Sequence, residues 1–302
     1  MKKPPLFTLP LFLAISIICH AQPKLLVGLV IDQMRYDYIE KYWDKYGEGG
    51  FKRLVNEGFN CKNTNYNYVP TFTGPGHASI FTGMTPSVHG IVGNDWIDLV
   101  LKRQVYCVGD RSVAGVGGTK GASGQMSPKN LFRKTIGDEL KTKNKNSKVI
   151  GIALKDRGAI LPAGQLGNAA YWFDVETGFW ISSTKYMKDL PKWVNDFNFK
   201  EPAKTYLSQM WNTLYPINTY SESDPDNNPC EEPFKGKELP VFPYDLNYLM
   251  NTNGGAGLIR STPFGNSLTK DFAIETIKNE QLGKGLATDM FCVSFSSTDY
   301  IG

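Results

Sequence analysis

Three stretches of the chain are apolar at almost every position instead of at alternate ones. The first, Leu25-Leu26-Val27-Gly28-Leu29-Val30-Ile31, ends at Asp32. The second, Val149-Ile150-Gly151-Ile152-Ala153-Leu154, ends at Lys155-Asp156-Arg157. The third, Met290-Phe291-Cys292-Val293-Ser294-Phe295, runs into Ser296-Ser297-Thr298-Asp299. Uninterrupted runs of this kind predict strands covered on both faces, because neither side meets water. Helical spacing fills the intervals. Phe51, Leu54 and Val55 share one face before Gly58, a helix stop. Ser127-Pro128 predicts the start of a segment in which Phe132, Ile136 and Leu140 recur at helical spacing. Another helix is predicted over about 269–282, ending at Gly283. Strands alternating with helices predict an α/β fold, with a layered, mostly parallel sheet and helices on both faces.

Ligands of such sheets collect beyond the carboxyl ends of the strands. Each run puts charge there: Asp32, then Lys155 and Arg157, then Asp299. For any one strand, a charge only marks where the chain leaves the core. Three together, with both signs present, suit an anion held along with metal ions.

The segment from about 165 to 263 differs in texture. It carries Trp172, Trp180, Trp193 and Trp211, four of six tryptophans, among many Asn, Pro and Tyr. The polar stretch 221–233 reads as a surface loop. The whole segment is expected to be an insertion packed over the sheet edge. Its aromatic residues serve either as a substrate wall or as packing in a subdomain with little regular structure.

Residues 1–21 have the form of a secretory signal peptide. Lys2 and Lys3 precede an apolar run from Leu6 to Cys19, and Ala21 stands before Gln22. That run is short for a membrane span. The mature chain, 22–302, is therefore expected to be soluble, in the periplasm or secreted, with no membrane contact after cleavage. It keeps Cys61, Cys107, Cys230 and Cys292 at irregular spacings that match no metal motif. Cys292, inside an apolar run, reads as a small core residue.

Composition changes this picture little. Of 302 residues, 41% are hydrophobic and 21% charged, which is ordinary for a globular protein and excludes a disordered or disulfide-dense chain. The net charge of +4 includes Lys2 and Lys3, and no basic run exists, so nucleic acid is not an expected partner. Histidine is scarce, with three in the whole chain.

The segment Asn67-Tyr68-Val69-Pro70-Thr71-Phe72-Thr73-Gly74-Pro75-Gly76-His77-Ala78-Ser79-Ile80-Phe81-Thr82-Gly83 carries the chemistry. Pro70 and Gly-Pro-Gly break structure, and Ala78 to Phe81 can continue as a helix. Thr73 would then stand at a helix N-terminus, where free N–H groups favour a phosphate and a developing alkoxide. A hydroxyl needs a base or a metal before it becomes a good nucleophile, and Asp32 could hold that metal. A plain N-cap is the competing use of such a threonine.

These segments together resemble a known family. Val30-Ile31-Asp32-Gln33-Met34-Arg35, Thr71-Phe72-Thr73-Gly74-Pro75-Gly76-His77 and Gly90-Ile91-Val92-Gly93-Asn94-Asp95-Trp96 look like the alkaline phosphatase superfamily. Lys155-Asp156-Arg157-Gly158-Ala159-Ile160-Leu161-Pro162 and Ser296-Ser297-Thr298-Asp299-Tyr300-Ile301-Gly302 match its PafA-type alkaline phosphatases, exported bacterial phosphate monoesterases with a threonine nucleophile. The resemblance implies that Thr73 attacks phosphorus and becomes a phosphothreonine. It places Asp32 and the Thr73 oxygen on one zinc ion (Zn2+) and Asp299 on a second. It assigns Asn94, Lys155 and Arg157 to the phosphoryl oxygens of small-molecule phosphate esters. A monoester carries more charge than a diester, so two added cations favour it. His77 and His89 match no zinc position and read as structural.

The resemblance also implies ligands that this chain does not supply. A histidine would stand four residues beyond Asp299, one place past Gly302, with an Asp-His pair and another histidine further on. The expectation is the N-terminal portion of a longer enzyme, inactive by itself, whose sheet is incomplete at its C-terminal end and exposes an apolar edge. The competing functions are a phosphodiesterase or nucleotide pyrophosphatase of the same superfamily, and a catalytically silent fragment.

Overall fold

The computed structural model describes residues 22–100, 102–118 and 121–301, so the expected signal peptide, 1–21, lies outside the described residues. The three apolar runs form strands β1 (Leu25–Ile31), β3 (Val149–Ala153) and β6 (Asp289–Phe295). With β2 (Gly115–Val116), β4 (Ala169–Asp174) and β5 (Phe179–Ser183) they make one six-stranded sheet. Its order is β1-β6-β3-β4-β5-β2. The pairs from β1 to β4 are parallel, and β4–β5 and β5–β2 are antiparallel.

Alternate residues of the central strands go to opposite faces, and the two faces differ in bulk. Ile150, Ile152, Tyr171, Phe173, Phe291 and Val293 meet helix α4 (Pro263–Asn279) through Leu268 and Phe272. On the other side Ala153, Ala170 and Trp172 meet helices α1 (Thr73–Thr82) and α3 (Asp156–Ala163) through Ala78, Ala159 and Ala163. Small residues here let α3 ride close to the sheet. At Gly151 an added Cβ would fall inside van der Waals contact with the Ala159 carbonyl oxygen. Gly151→Ala is expected to destabilise the domain by about 1–3 kcal/mol, read as a lower urea midpoint at unchanged slope.

Strand β1 lacks the cover on both faces that its apolar run predicts, and it forms an exposed apolar edge of the kind expected of this sheet. It is an edge strand, with Leu26, Val27 and Leu29 exposed, Leu29 to 58%. The helix expected from Ser127 begins later, as α2 (Ile136–Lys143). A capping box decides this: the Thr135 hydroxyl accepts from the Asp138 N–H, and the Asp138 carboxylate accepts from the Thr135 N–H. Ser127 instead donates to buried Asp110 at 2.6 Å, and Phe132 is left exposed. Helix α4 starts at Pro263, earlier than its apolar spacing indicates, because proline suits the first helical turn.

The segment 165–263 begins inside the sheet, since β4 and β5 belong to it. Trp172 and Trp180 are buried there. Trp180 stacks on Phe272 with ring centroids 4.2 Å apart, and Trp193 packs on the same ring. Trp211 stacks on Tyr244 in a smaller cluster. These aromatic residues pack; they do not line the cavity described below. The stretch 221–233 carries no helix or strand. Cys292 is buried, and all four described cysteines are unpaired. Among the described residues no helix is long and apolar enough to cross a membrane.

Candidate active site

The strand order explains why distant residues meet. β6 lies between β1 and β3, so the carboxyl ends of all three strands stand side by side. Asp32 follows β1, its N–H bonded to the Phe295 carbonyl at 2.9 Å. Lys155 follows β3 as the residue before α3. Asp299 follows β6 in helix α5 (Ser297–Ile301). Thr73, the first residue of α1, completes the group, because α1 and α3 pack on the same face.

The contacts are direct. Thr73 Oγ1 donates to Asp32 Oδ2 at 2.8 Å. Lys155 Nζ donates to the same oxygen at 3.1 Å and lies 3.4 Å from Thr73 Oγ1. The ammonium also pairs with Asp299, and it sits 4.8 Å from the centre of the Tyr300 ring. Lys155 is only 4% exposed. Burial draws its pKa down, against the pull of Asp32. Burial alone would raise the Asp32 carboxyl, but His77, Lys155 and the Thr73 hydroxyl outweigh it and hold it below its ordinary range.

An open cavity of about 790 Å³ lies over the group. Asp32, Thr73, Asn94 and Asp299 line it, with Tyr66 and Phe72 on its apolar side. Asn94 reaches the site from a short hairpin, Asp95–Asp98 with Arg103–Tyr106, which it precedes. Its Oδ1 accepts the Gly74 N–H at 2.8 Å.

That bond corrects one expectation. The N-terminus of α1 does not offer a row of free N–H groups. Asn94 takes that of Gly74, residue 75 is proline, and the Gly76 N–H returns to the Phe72 carbonyl. Lys155 is in place to meet charge at this site. Arg157 stands further off: its Nη1 donates to the Tyr106 hydroxyl at 3.0 Å, and no bond joins it to Thr73, Asp32 or Asp299. The structure therefore brings Asp32, Thr73, Lys155 and Asp299 into one cluster, with Asn94 on its border and Arg157 behind it.

The histidines serve the frame. His77 Nδ1 donates to the Thr73 carbonyl and Nε2 accepts from the Ser294 hydroxyl, each at 2.8 Å. Burial holds its pKa below the ordinary value more strongly than Asp32 raises it. His89 accepts the Ile91 N–H and donates to Ser79, and burial pulls it down to about 4. Both rings are spent on protein partners.

Two neighbours carried no signal in the sequence. Tyr106 ends an ordinary strand pattern. Arg260, from the aromatic segment, lies 4.9 Å from the Tyr300 ring on which Lys155 also rests. Only the meeting of remote segments shows them.

A parallel sheet with a hydroxyl, two carboxylates and a buried ammonium at adjoining strand ends defines the class: an α/β protein of alkaline-phosphatase-like fold. The chain belongs to the type I phosphodiesterase / nucleotide pyrophosphatase family, whose model matches residues 26–302. It is 57% identical over 284 residues to a protein of Myroides odoratus named calcium-transporting ATPase, covering 93% of this chain and 52% of that protein. It is 50% identical over 282 residues to alkaline phosphatase PafA of Elizabethkingia meningoseptica, again covering 93% and 52%. A crystal structure of wild-type alkaline phosphatase PafA superposes with a TM-score of 0.90 at 51% identity, covering 93% of this chain and 54% of that one. The chain thus spans about half the length of the curated relatives it matches.

Proposed function

We propose that the protein carrying this chain hydrolyses phosphate monoesters through a phosphothreonine intermediate on Thr73. The observation that carries this reading is the Thr73 hydroxyl, bonded to the Asp32 carboxylate and 3.4 Å from the Lys155 ammonium. A hydroxyl so placed can give up its proton as it attacks, and the adjacent cation lowers the cost of the alkoxide. The Thr73 oxygen forms a bond to phosphorus as the bond to the leaving alcohol breaks. Water then cleaves the phosphothreonine and restores the hydroxyl. Similarity to alkaline phosphatases at about half identity supports the reading.

In this reading Asn94, oriented by the Gly74 N–H on its Oδ1, offers its Nδ2 donors to a non-bridging phosphoryl oxygen. Lys155 acts as a point charge and Arg157 as a planar fork. Both favour a monoester, which carries the greater charge.

The reading includes two zinc ions, with Asp32 and Thr73 contributing to one and Asp299 to the other. Two carboxylates and a hydroxyl already converge on the cation of Lys155, so these oxygens suit a positive centre. They are part of a donor set, since zinc takes three or four protein ligands. Among the described residues no group of three or more His, Cys, Asp or Glu side chains gathers. When bound, zinc would supply Lewis acidity to the attacking and leaving oxygens. The signal-like pattern of residues 1–21 supports action outside the cytoplasm, and the lack of a basic run favours small phosphate esters over nucleic acid.

The family description favours a second reading, phosphodiester or nucleotide pyrophosphate cleavage at the same threonine. Purified complete protein assayed on an aryl phosphate monoester and the matching diester separates the two. The monoester is expected to be the better substrate by kcat/KM, and zinc is expected to copurify. A clear preference for the diester overturns the first reading in favour of the second.

A further inference from the structure

Arg157 is held in an unusual way. Its neighbour in sequence, Asp156, is the nearest carboxylate, yet their charged atoms are 4.0 Å apart with no hydrogen bond between the side chains. The Tyr106 hydroxyl stands between them. It donates to Asp156 Oδ1 at 2.5 Å and accepts from Arg157 Nη1 at 3.0 Å. Asp156 Oδ1 also accepts the backbone N–H of Arg157 at 2.6 Å. All three side chains are mostly buried. Arg157 Nε is buried with no partner among the described residues.

The direction of these bonds matters. A phenol has one proton, and here Asp156 takes it, so the oxygen faces Arg157 as an acceptor only. The guanidinium is a rigid plane. Pinning Nη1 limits its tilt and leaves the edge that carries Nε without an acceptor. The interposed phenol also spares the arginine a direct ion pair, which would spend its fork on Asp156. Tyr106 comes from the same hairpin that follows Asn94, and the Cys107 N–H bonds back to the Asn94 carbonyl at 2.9 Å. One hairpin thus sets both Asn94 and the holder of Arg157.

We propose that Tyr106, tied down by Asp156, is a positioning residue that holds the guanidinium of Arg157 for the phosphoryl group of a monoester. This rests on the reading of Arg157 given above. It makes Tyr106 part of the selection for monoesters, although it touches no substrate.

The test is a double-mutant cycle in the complete protein, with kcat/KM measured on the aryl monoester and on the diester. Tyr106→Phe keeps the ring and removes both bonds. It is expected to lower monoester kcat/KM about ten-fold, with a much smaller change on the diester. In an Arg157→Ala background the same change is expected to do nothing further. Asp156→Asn, which keeps the acceptor and removes the charge, should show a smaller loss, again only when Arg157 is present. Equal losses from Tyr106→Phe with and without Arg157 overturn the proposal, because the tyrosine is then merely part of the packing. No loss in the wild-type background overturns it as well. If Arg157→Ala itself leaves monoester preference unchanged, the reading of Arg157 has failed and this proposal falls with it.

Discussion

Thr73→Ala is expected to abolish the phosphoenzyme and to lower monoester turnover by on the order of 10⁴-fold or more. The hydroxyl is bonded to Asp32 and lies 3.4 Å from the Lys155 ammonium. Removing it leaves no group in that position to carry the phosphoryl. Rapid acid quench with labelled monoester should trap phosphothreonine in the wild type and none in the variant. Thr73→Ser keeps the oxygen and is expected to retain most of the phosphoenzyme signal. Full phosphoenzyme from the alanine variant would move the nucleophile elsewhere. The fold should survive, because α1 is held by Ala78 and Phe81 in the core and by the ring of His77.

Lys155→Ala is the second large effect. The ammonium is buried among Asp32, Asp299 and Thr73, and its loss removes the cation nearest the attacking oxygen. Removing one preorganised charge of this kind costs roughly 10²–10³-fold in turnover. Monoester kcat/KM should fall by that order, and diester kcat/KM by less. The monoester-to-diester ratio is the quantity to measure, because damage to the fold lowers both substrates alike. A ratio that does not change would remove Lys155 from the phosphoryl contacts. Lys155→Arg is expected to restore little, since a planar fork does not fit where a point charge meets two carboxylates and a hydroxyl.

Three of the six strands of the sheet were legible in the chain. Runs apolar at every position mark strands whose two faces are both covered, and β3 and β6 are of that kind. β1 shows the limit of this reasoning. Leu26, Val27 and Leu29 give the same pattern as a central strand, yet β1 is at the edge and they are exposed. Hydrophobicity records what a position prefers, not what stands beside it. The short strands of the segment 165–263 hid for another reason. Their Asn- and Tyr-rich setting leaves Trp172 and Trp180 open between a substrate wall and subdomain packing, and they are buried in the sheet and its core. The helix near 127–140 was misplaced because the spacing of Phe132, Ile136 and Leu140 is blind to which residue caps. The reciprocal bonds of Thr135 and Asp138 set the start.

The sequence by itself determined the local chemistry. It placed Asp32, Lys155 and Asp299 at the ends of three strands and Thr73 at the start of a helix, because these follow from short-range patterns of apolar runs and breakers. The tertiary structure decided which of them touch. The β1-β6-β3 order sets Asp32, Asp299 and Lys155 side by side, and the packing of α1 on α3 adds the hydroxyl. It decided that Asn94 takes the Gly74 N–H, which the helix N-terminus would otherwise offer. It also set Arg157 behind the cluster, on the Tyr106 hydroxyl. Strand order and helix packing bring together residues up to 267 positions apart, such as Asp32 and Asp299, and no local propensity contains that information.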